Sequence, residues 1–130
     1  MTVEYETGES AIQAEPFLGL ARKVRADEYD VAQTKAALAR TINIGAFVDG
    51  TLVGSVRVLS DGCFFSTVAD IMVDPAYQHM GIGKELMRRA IVASPGKRLY
   101  LAAQPGTEPF FERVGFRRGP VGYVARPADE

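Results

Sequence analysis

The hydrophobic periods along this chain predict an α+β protein, an α/β sandwich packed around one central sheet. Three observations carry that expectation. Residues 10–40 repeat apolar positions at helical spacing. The stretch NIGAFVDGTLVGSVRVL then changes to strand-like runs joined at Asp49-Gly50, a strong hairpin signal. Finally, PAYQHMGIGKELMRRA places a glycine-bearing turn between an apolar strand and an amphipathic helix.

In chain order, residues 10–25 form a first helix, with Ile12, Phe17, Leu20, Ala21 and Val24 towards a core. A second helix runs from Asp30, its N-cap, to Arg40, with Val31, Ala37 and Leu38 inward. In the second strand of the hairpin, Val56 and Val58 alternate with Ser55 and Arg57, as in a half-exposed strand. Asp61-Gly62 marks another turn. A third strand, 65–73, is apolar on both faces except at Asp70, which suits a central strand covered by helices. Beyond the glycines, Ile82, Leu86, Ala90 and Ile91 recur at helical spacing. Lys84, Arg88 and Arg89 face elsewhere, and Glu85 reaches Arg89 one turn on. Ser94-Pro95-Gly96 stops this helix. Residues 98–103 read as a strand, Gln104-Pro105-Gly106 as a loop, 108–113 as a short helix and 116–125 as a last strand. The tail, RPADE, reads as a solvated end.

The 130 residues suit a single domain over 1–130, long enough to bury a core. A net charge of -1 gives no pull towards nucleic acid or anionic membranes, so neither is expected as a partner. One cysteine, Cys63, excludes an internal disulfide and a Cys-rich zinc site; no metal site is expected. The opening MTVEYETGES is acidic and leads into no long apolar run, so no signal peptide is read there. No apolar run is long enough to cross a bilayer. A soluble, cytoplasmic domain is the expectation.

A strand, a glycine turn and a helix together form a general geometry for holding phosphate. The first N–H groups of the helix are free and its dipole favours an anion. Gly81 and Gly83 would let a pyrophosphate approach the backbone, with Lys84, Arg88 or Arg89 meeting further charge. The dinucleotide fingerprint does not fit, since Leu86 stands where its third glycine belongs. A Walker loop fails as well: Glu85 follows Gly-Lys, and Gln78 replaces its first glycine. The same pattern also suits a tight strand–helix connection with no ligand.

Gln78-His79-Met80-Gly81-Ile82-Gly83 resembles the Q/R-x-x-G-x-G/A signature of the GNAT superfamily of N-acyltransferases. DIMVDPAY resembles the strand and turn before that signature, and LYLAAQPGTEPFFERVGF its closing segment. The resemblance covers about residues 10–125 and implies a mixed, mainly antiparallel sheet with splayed central strands. It also implies acetyl-CoA, or another acyl-CoA, as donor. The pyrophosphate would lie on the amides from His79 to Lys84, and the pantetheine arm would pair with Met72 and Val73. Gln104 stands where many relatives carry Asn beside that arm; a plain loop role is equally open.

N-acylation is attack of an amine on a thioester. An alkyl amine of pKa ~10 is mostly protonated at neutral pH, so a base is needed, often through water. The oxyanion needs a donor, and the resemblance implies the Val73 N–H. The leaving thiolate gains from a proton donor, for which the family usually offers a Tyr that is Phe111 in this chain. Tyr100 or Tyr123 would have to substitute, water would have to serve, or catalysis is weak or absent. Asp70 is the leading base, because burial makes a carboxylate a better proton acceptor. It would otherwise face solvent or cap a backbone group. His79 is disfavoured as base because loop side chains point outward. Glu28, Tyr29 and Asp61 sit in loops able to border an acceptor pocket. Cys63 lacks a partner base and reads as a packing or loop residue. Phe64, Phe65, Phe110, Phe111 and Phe116 read as core, with Phe64 or Phe65 also able to line the acceptor site.

The expected function is therefore an acetyl-CoA-dependent N-acetyltransferase acting on a primary amine, with a small-molecule acceptor favoured. A non-catalytic acyl-CoA-binding sensor is the alternative, and an edge strand at 116–125 would offer a homodimer contact.

Overall fold

The computed structural model describes residues 1–25 and 29–126. Its elements in chain order are β1 (Glu4–Gly8), α1 (Ala14–Val24), α2 (Val31–Leu38), β2 (Ile42–Val48), β3 (Thr51–Ser60) and β4 (Ser66–Val73). A 3₁₀ turn at Pro75–Tyr77, α3 (Ile82–Ala93), β5 (Leu99–Tyr100) and α4 (Glu108–Arg113) follow. The strands form one sheet in the order β1-β2-β3-β4-β5. Every neighbour is antiparallel except β5, which runs parallel to β4. This is the mixed α+β, mainly antiparallel arrangement expected from the sequence.

Local chemistry explains the elements that were legible. Asp49 and Gly50 take φ of 49° and 79°, closing the two-residue turn between β2 and β3. Asp30 caps α2, its Oδ2 accepting from the Gln33 N–H at 2.8 Å.

The sheet buries both faces. On one side α1 and α2 bring Phe17, Leu20, Ala21 and Leu38 onto Leu52 and Met72. On the other, Ile82, Leu86, Met87 and Ala90 of α3 pack on Ile44, Val56 and Val58. Gly54 of β3 is needed for that contact: a Cβ there would sit 3.0 Å from Leu86 Cδ1 and 3.1 Å from Ile82 Cγ2.

Several expectations are corrected. The acidic opening is not merely a lead-in: Glu4–Gly8 forms β1, paired along β2 from Phe47 to Asn43. The last strand at 116–125 does not form, and residues 117–126 are exposed and irregular. Gly119, Pro120 and Gly122 lie inside it, and such residues weaken a strand that has no neighbour to reward it. The homodimer contact tied to that strand loses its basis. The strand at 98–103 shrinks to Leu99–Tyr100. In α2, Thr34 and Leu38 are the buried pair one turn apart, while Val31 and Ala37 are exposed; in α3, Ile91 is exposed and Met87 takes an inward place. Phe64 and Phe65 are exposed as well, so of the five phenylalanines expected in the core Phe110, Phe111 and Phe116 pack against it.

Leu86 is fully buried between α3 and β3. Leu86→Ala should lower the unfolding free energy by about 2–5 kcal/mol, read from a shifted denaturant midpoint at unchanged slope.

Candidate functional site

The site is organised by β4. Arg57 of β3 faces Asp70, but the next pair is Val58 with Val68, so Ala69 is an extra residue and β4 bulges there. On its other edge β4 pairs with β5 only at Ser66–Leu99 and Thr67–Tyr100. From Val68 to Val73 the strands splay, and the edge of β4 is open on that side among the described residues. Asp74 N–H donates to Val53 O at 2.8 Å, towards β3. Successive residues of a strand alternate in the direction of their N–H groups, so Val73 N–H points the other way, into the opening.

The chain leaves β4 through a cramped turn. Asp74 Oδ1 accepts from Ala76 N–H at 2.9 Å and Oδ2 from Lys23 Nζ at 3.1 Å, which ties α1 to the turn. The Ala76 amide, against the cost of burial and with help from Lys23, holds the Asp74 carboxyl below its ordinary range. Gln78 reaches back to donate to Val73 O at 3.2 Å. His79 has φ of 64° and Gly81 φ of 86°, and Gly81 O accepts the first helical bond, from Glu85 N–H at 3.1 Å. The amides of Ile82, Gly83 and Lys84 precede that bond and have no acceptor within the helix.

The two glycines serve different ends. A Cβ on Gly81 would meet nothing within 4 Å, whereas one on Gly83 would press on Phe110 Cζ at 3.2 Å and lie 3.7 Å from Val73 Cγ2. Gly81 supplies a left-handed N-cap open to a ligand. Gly83 supplies a seat for a phenylalanine, a packing reason beside the one expected from the sequence. Its N–H remains among the free ones. Met80 and Lys84 are exposed beside the turn. Arg88 and Arg89 are committed to Glu85, at 2.7 Å each, and Arg89 also lies 4.5 Å over the Tyr5 ring, which leaves Lys84 as the cation beside the turn with no partner among the described residues.

On the opposite face of β4 a cleft of ≈ 380 Å³ opens between the sheet and the helices α1 and α2. Phe17, Arg25, Tyr29, Gln33, Arg57 and Asp70 line it. Asp70 neither faces solvent nor caps a backbone group. Its Oδ2 accepts from Arg57 Nε at 2.9 Å and Nη2 at 2.6 Å. Its side chain is only 8% exposed, and Oδ1 is buried without a hydrogen-bond partner. Ser55 Oγ, two residues from Arg57 on the same face of β3, is the second such oxygen. Arg57 also lies 5.7 Å over the Phe17 ring.

The remaining residues singled out from sequence lie apart from this cleft. Tyr100 is stacked on Phe65, 5.3 Å between centroids, at the closed end of the splay. Tyr123 is 94% exposed on the irregular segment. Phe111 packs edge-on against Phe110 and Phe116, at 5.1 and 6.1 Å. Gln104 starts the turn before α4, its carbonyl accepting from Thr107 N–H at 3.0 Å and Thr107 Oγ1 at 2.6 Å. Asp61 is occupied by the amides of Cys63, Phe64 and Phe65, bonds that hold its carboxyl below the usual range. That loop carries Cys63 and Phe64 outward, away from the cleft lining. Of the loop residues expected at an acceptor pocket, Tyr29 lines the cleft and Glu28 lies outside the described residues. Sequence reasoning missed Arg57 and Arg25; the signal for Arg57 was one charge on the same face of each of two hairpin-linked strands.

The sequence profile described as the acetyltransferase (GNAT) family matches residues 11–116. The histone acetyltransferase TAP1 of Glycine max is 34% identical over 74 residues, 55% of this chain and 32% of that protein. Serotonin N-acetyltransferase 2, chloroplastic, of Oryza sativa subsp. japonica is 32% identical over 74 residues, 55% of this chain and 37% of that one. The chain thus spans roughly a third of the length of these relatives. A solved GNAT-family acetyltransferase of Streptococcus pneumoniae shares the fold, with a TM-score of 0.79 at 23% identity over 96% of this chain and 99% of the other.

The helix behind the turn has its own electrostatic signature. Hydrogen bonds from Arg88 and Arg89 lower the Glu85 carboxyl from 4.5 to about 2. A depressed carboxylate stabilises the fold above its ordinary value and loses that contribution as pH falls through the lowered one. Glu85→Gln should therefore cost ~1 kcal/mol or less at pH 7, these groups being partly exposed. The gap to the unaltered protein should close between pH 4.5 and about 2 in denaturant titrations at stepped pH.

Proposed function

Because this chain belongs to the acetyltransferase (GNAT) family, we propose that it acetylates the primary amine of a small molecule with acetyl-CoA as donor. The observation that carries this reading is the geometry of β4. One edge is open from Val68 to Val73 and leads to the Gly81-capped start of α3, while one face presents Asp70 to a small cleft. The bulge at Ala69 is where the edge and the face meet.

Acetyl-CoA supplies the activated acyl carbon. Its pyrophosphate suits the amides of Ile82, Gly83 and Lys84, with Gln78, His79 and Met80 shaping the approach and the Lys84 ammonium adding charge. Its arm suits the open edge at Met72 and Val73, where strand-like hydrogen bonds are on offer. Val73 N–H donates to the oxygen that gains charge as the amine adds. Asp70, the carboxylate in the cleft lining, is the group that accepts the amine's proton. A cleft of ≈ 380 Å³ lies near the lower end of small-molecule sites, about 300–1,000 Å³, which favours a small acceptor. With Phe111 apolar, Tyr100 stacked on Phe65 and Tyr123 out in solvent, water is the proton source for the departing thiolate.

Phe111 in place of a tyrosine also favours a second reading, a non-catalytic acyl-CoA-binding module. Calorimetric titration with acetyl-CoA, followed by thiol release over a panel of small amines and lysine peptides, separates the two. Amine-dependent release supports the transferase; binding without release on every amine moves the conclusion to the module; no binding removes both.

Gly81→Asp is the control for the turn. Asp tolerates a left-handed conformation better than most residues and meets nothing there, so the fold persists. Its carboxylate should nonetheless abolish cofactor binding by repulsion. Asp70→Asn should lower kcat by about 10²-fold or more while leaving the acetyl-CoA Kd unchanged.

A further inference from the structure

The cleft carries more than a base. Its described charged groups are two guanidiniums, Arg25 and Arg57, and one carboxylate, Asp70. Arg57 is neutralised by its two bonds to Asp70 Oδ2. Arg25, the C-cap of α1, donates from Nη1 to Tyr29 Oη at 3.3 Å, and no ion pair to it is recorded among the described residues. A guanidinium has five N–H donors, so most of Arg25 is free for a ligand. The cleft lining thus holds a carboxylate with one buried, unpartnered oxygen, Asp70, and, among the described residues, a guanidinium with no ion pair, Arg25.

A simple monoamine would answer only the carboxylate. A diamine would bring a second positive charge towards Arg25 and be repelled. The geometry points to an aminocarboxylate, an amino acid, as the acceptor, its amino group at Asp70 and its carboxylate at Arg25. Arg is suited to the second role because its planar fork meets a carboxylate with two parallel hydrogen bonds. Phe17 and Tyr29 give the side chain of such a molecule an apolar wall, and Gln33 adds a neutral hydrogen-bonding group. This substrate class rests on the reading that the cleft receives the acceptor, and Arg25 is then its specificity-determining residue.

Binding tests it without relying on turnover. L-Phenylalanine, L-phenylalaninamide and phenethylamine share a side chain and an amine but differ in the carboxylate. Each would be titrated calorimetrically into the protein, with and without coenzyme A. Phenylalanine should bind about tenfold more tightly than the other two, the worth of one charge-assisted contact. Arg25→Gln should erase that difference while leaving phenethylamine affinity unchanged, and Arg25→Lys should restore part of it. Asp70→Asn should weaken all three. Equal affinities, no binding of any of the three, or a preference surviving Arg25→Gln overturns the proposal. So does a preference for phenethylamine. If phenylalanine binds as stated but neither it nor any amine of the panel releases thiol from acetyl-CoA, the transferase reading fails and the amino-acid site stands.

Discussion

A strand inside a sheet must place its N–H and C=O groups against two neighbours, and β4 does so fully only on the β3 side. After two paired residues β5 turns away. The bulge at Ala69 adds twist at the same place, so the strand opens as its register shifts. An unsatisfied strand edge is normally a hazard, since any extended chain can pair with it. Here it is flanked by the helices on both faces of the sheet and ends at the start of α3, which restricts what can reach it. The open edge begins at that interruption and ends at the free amides beyond Gly81, and the cleft beside Asp70 lies on one face of the same strand.

The parts of this fold written in local chemistry were legible. Asp49-Gly50, the Asp30 cap, the helix at 108–113 and the Glu85–Arg89 pair are settled by neighbours a few residues apart. What escaped depends on distant partners. EYETG becomes a strand only because β2 offers it an edge. FRRGPVGYVA, interrupted by Gly119, Pro120 and Gly122, does not become one. The Arg57–Asp70 pair was hidden by the bulge: counting back evenly from Ser60–Ser66 sets Arg57 opposite Ala69, and only the extra residue brings Asp70 across. The motif around Gly81 and Gly83 was legible as a pattern, yet its two glycines have unlike reasons. Spacing alone carries no record of a phenylalanine arriving from α4.

The ion pair in the cleft lining has two faces. Burying the Asp70 carboxylate alone would be costly, and Arg57 offsets that cost with two hydrogen bonds to one oxygen. The same bonds fix which oxygen is left over. Arg57 is held in its turn by the Phe17 ring of α1, and Lys23, further along α1, grips Asp74 beside the turn. The helix that walls the cleft is thereby fastened at two points, to β3 and to the turn after β4.

The contact between Gly83 and Phe110 bears on how this sequence can change over generations. With Phe110 Cζ 3.2 Å from where a Cβ would stand, a methyl at position 83 asks the ring to yield by a few tenths of an ångström, and anything larger asks it to leave. Position 83 belongs to the motif and position 110 to a helix near the other end of the chain, but descent must treat them as one character. A lineage that puts anything larger than a methyl at position 83 has first to have shrunk the phenylalanine.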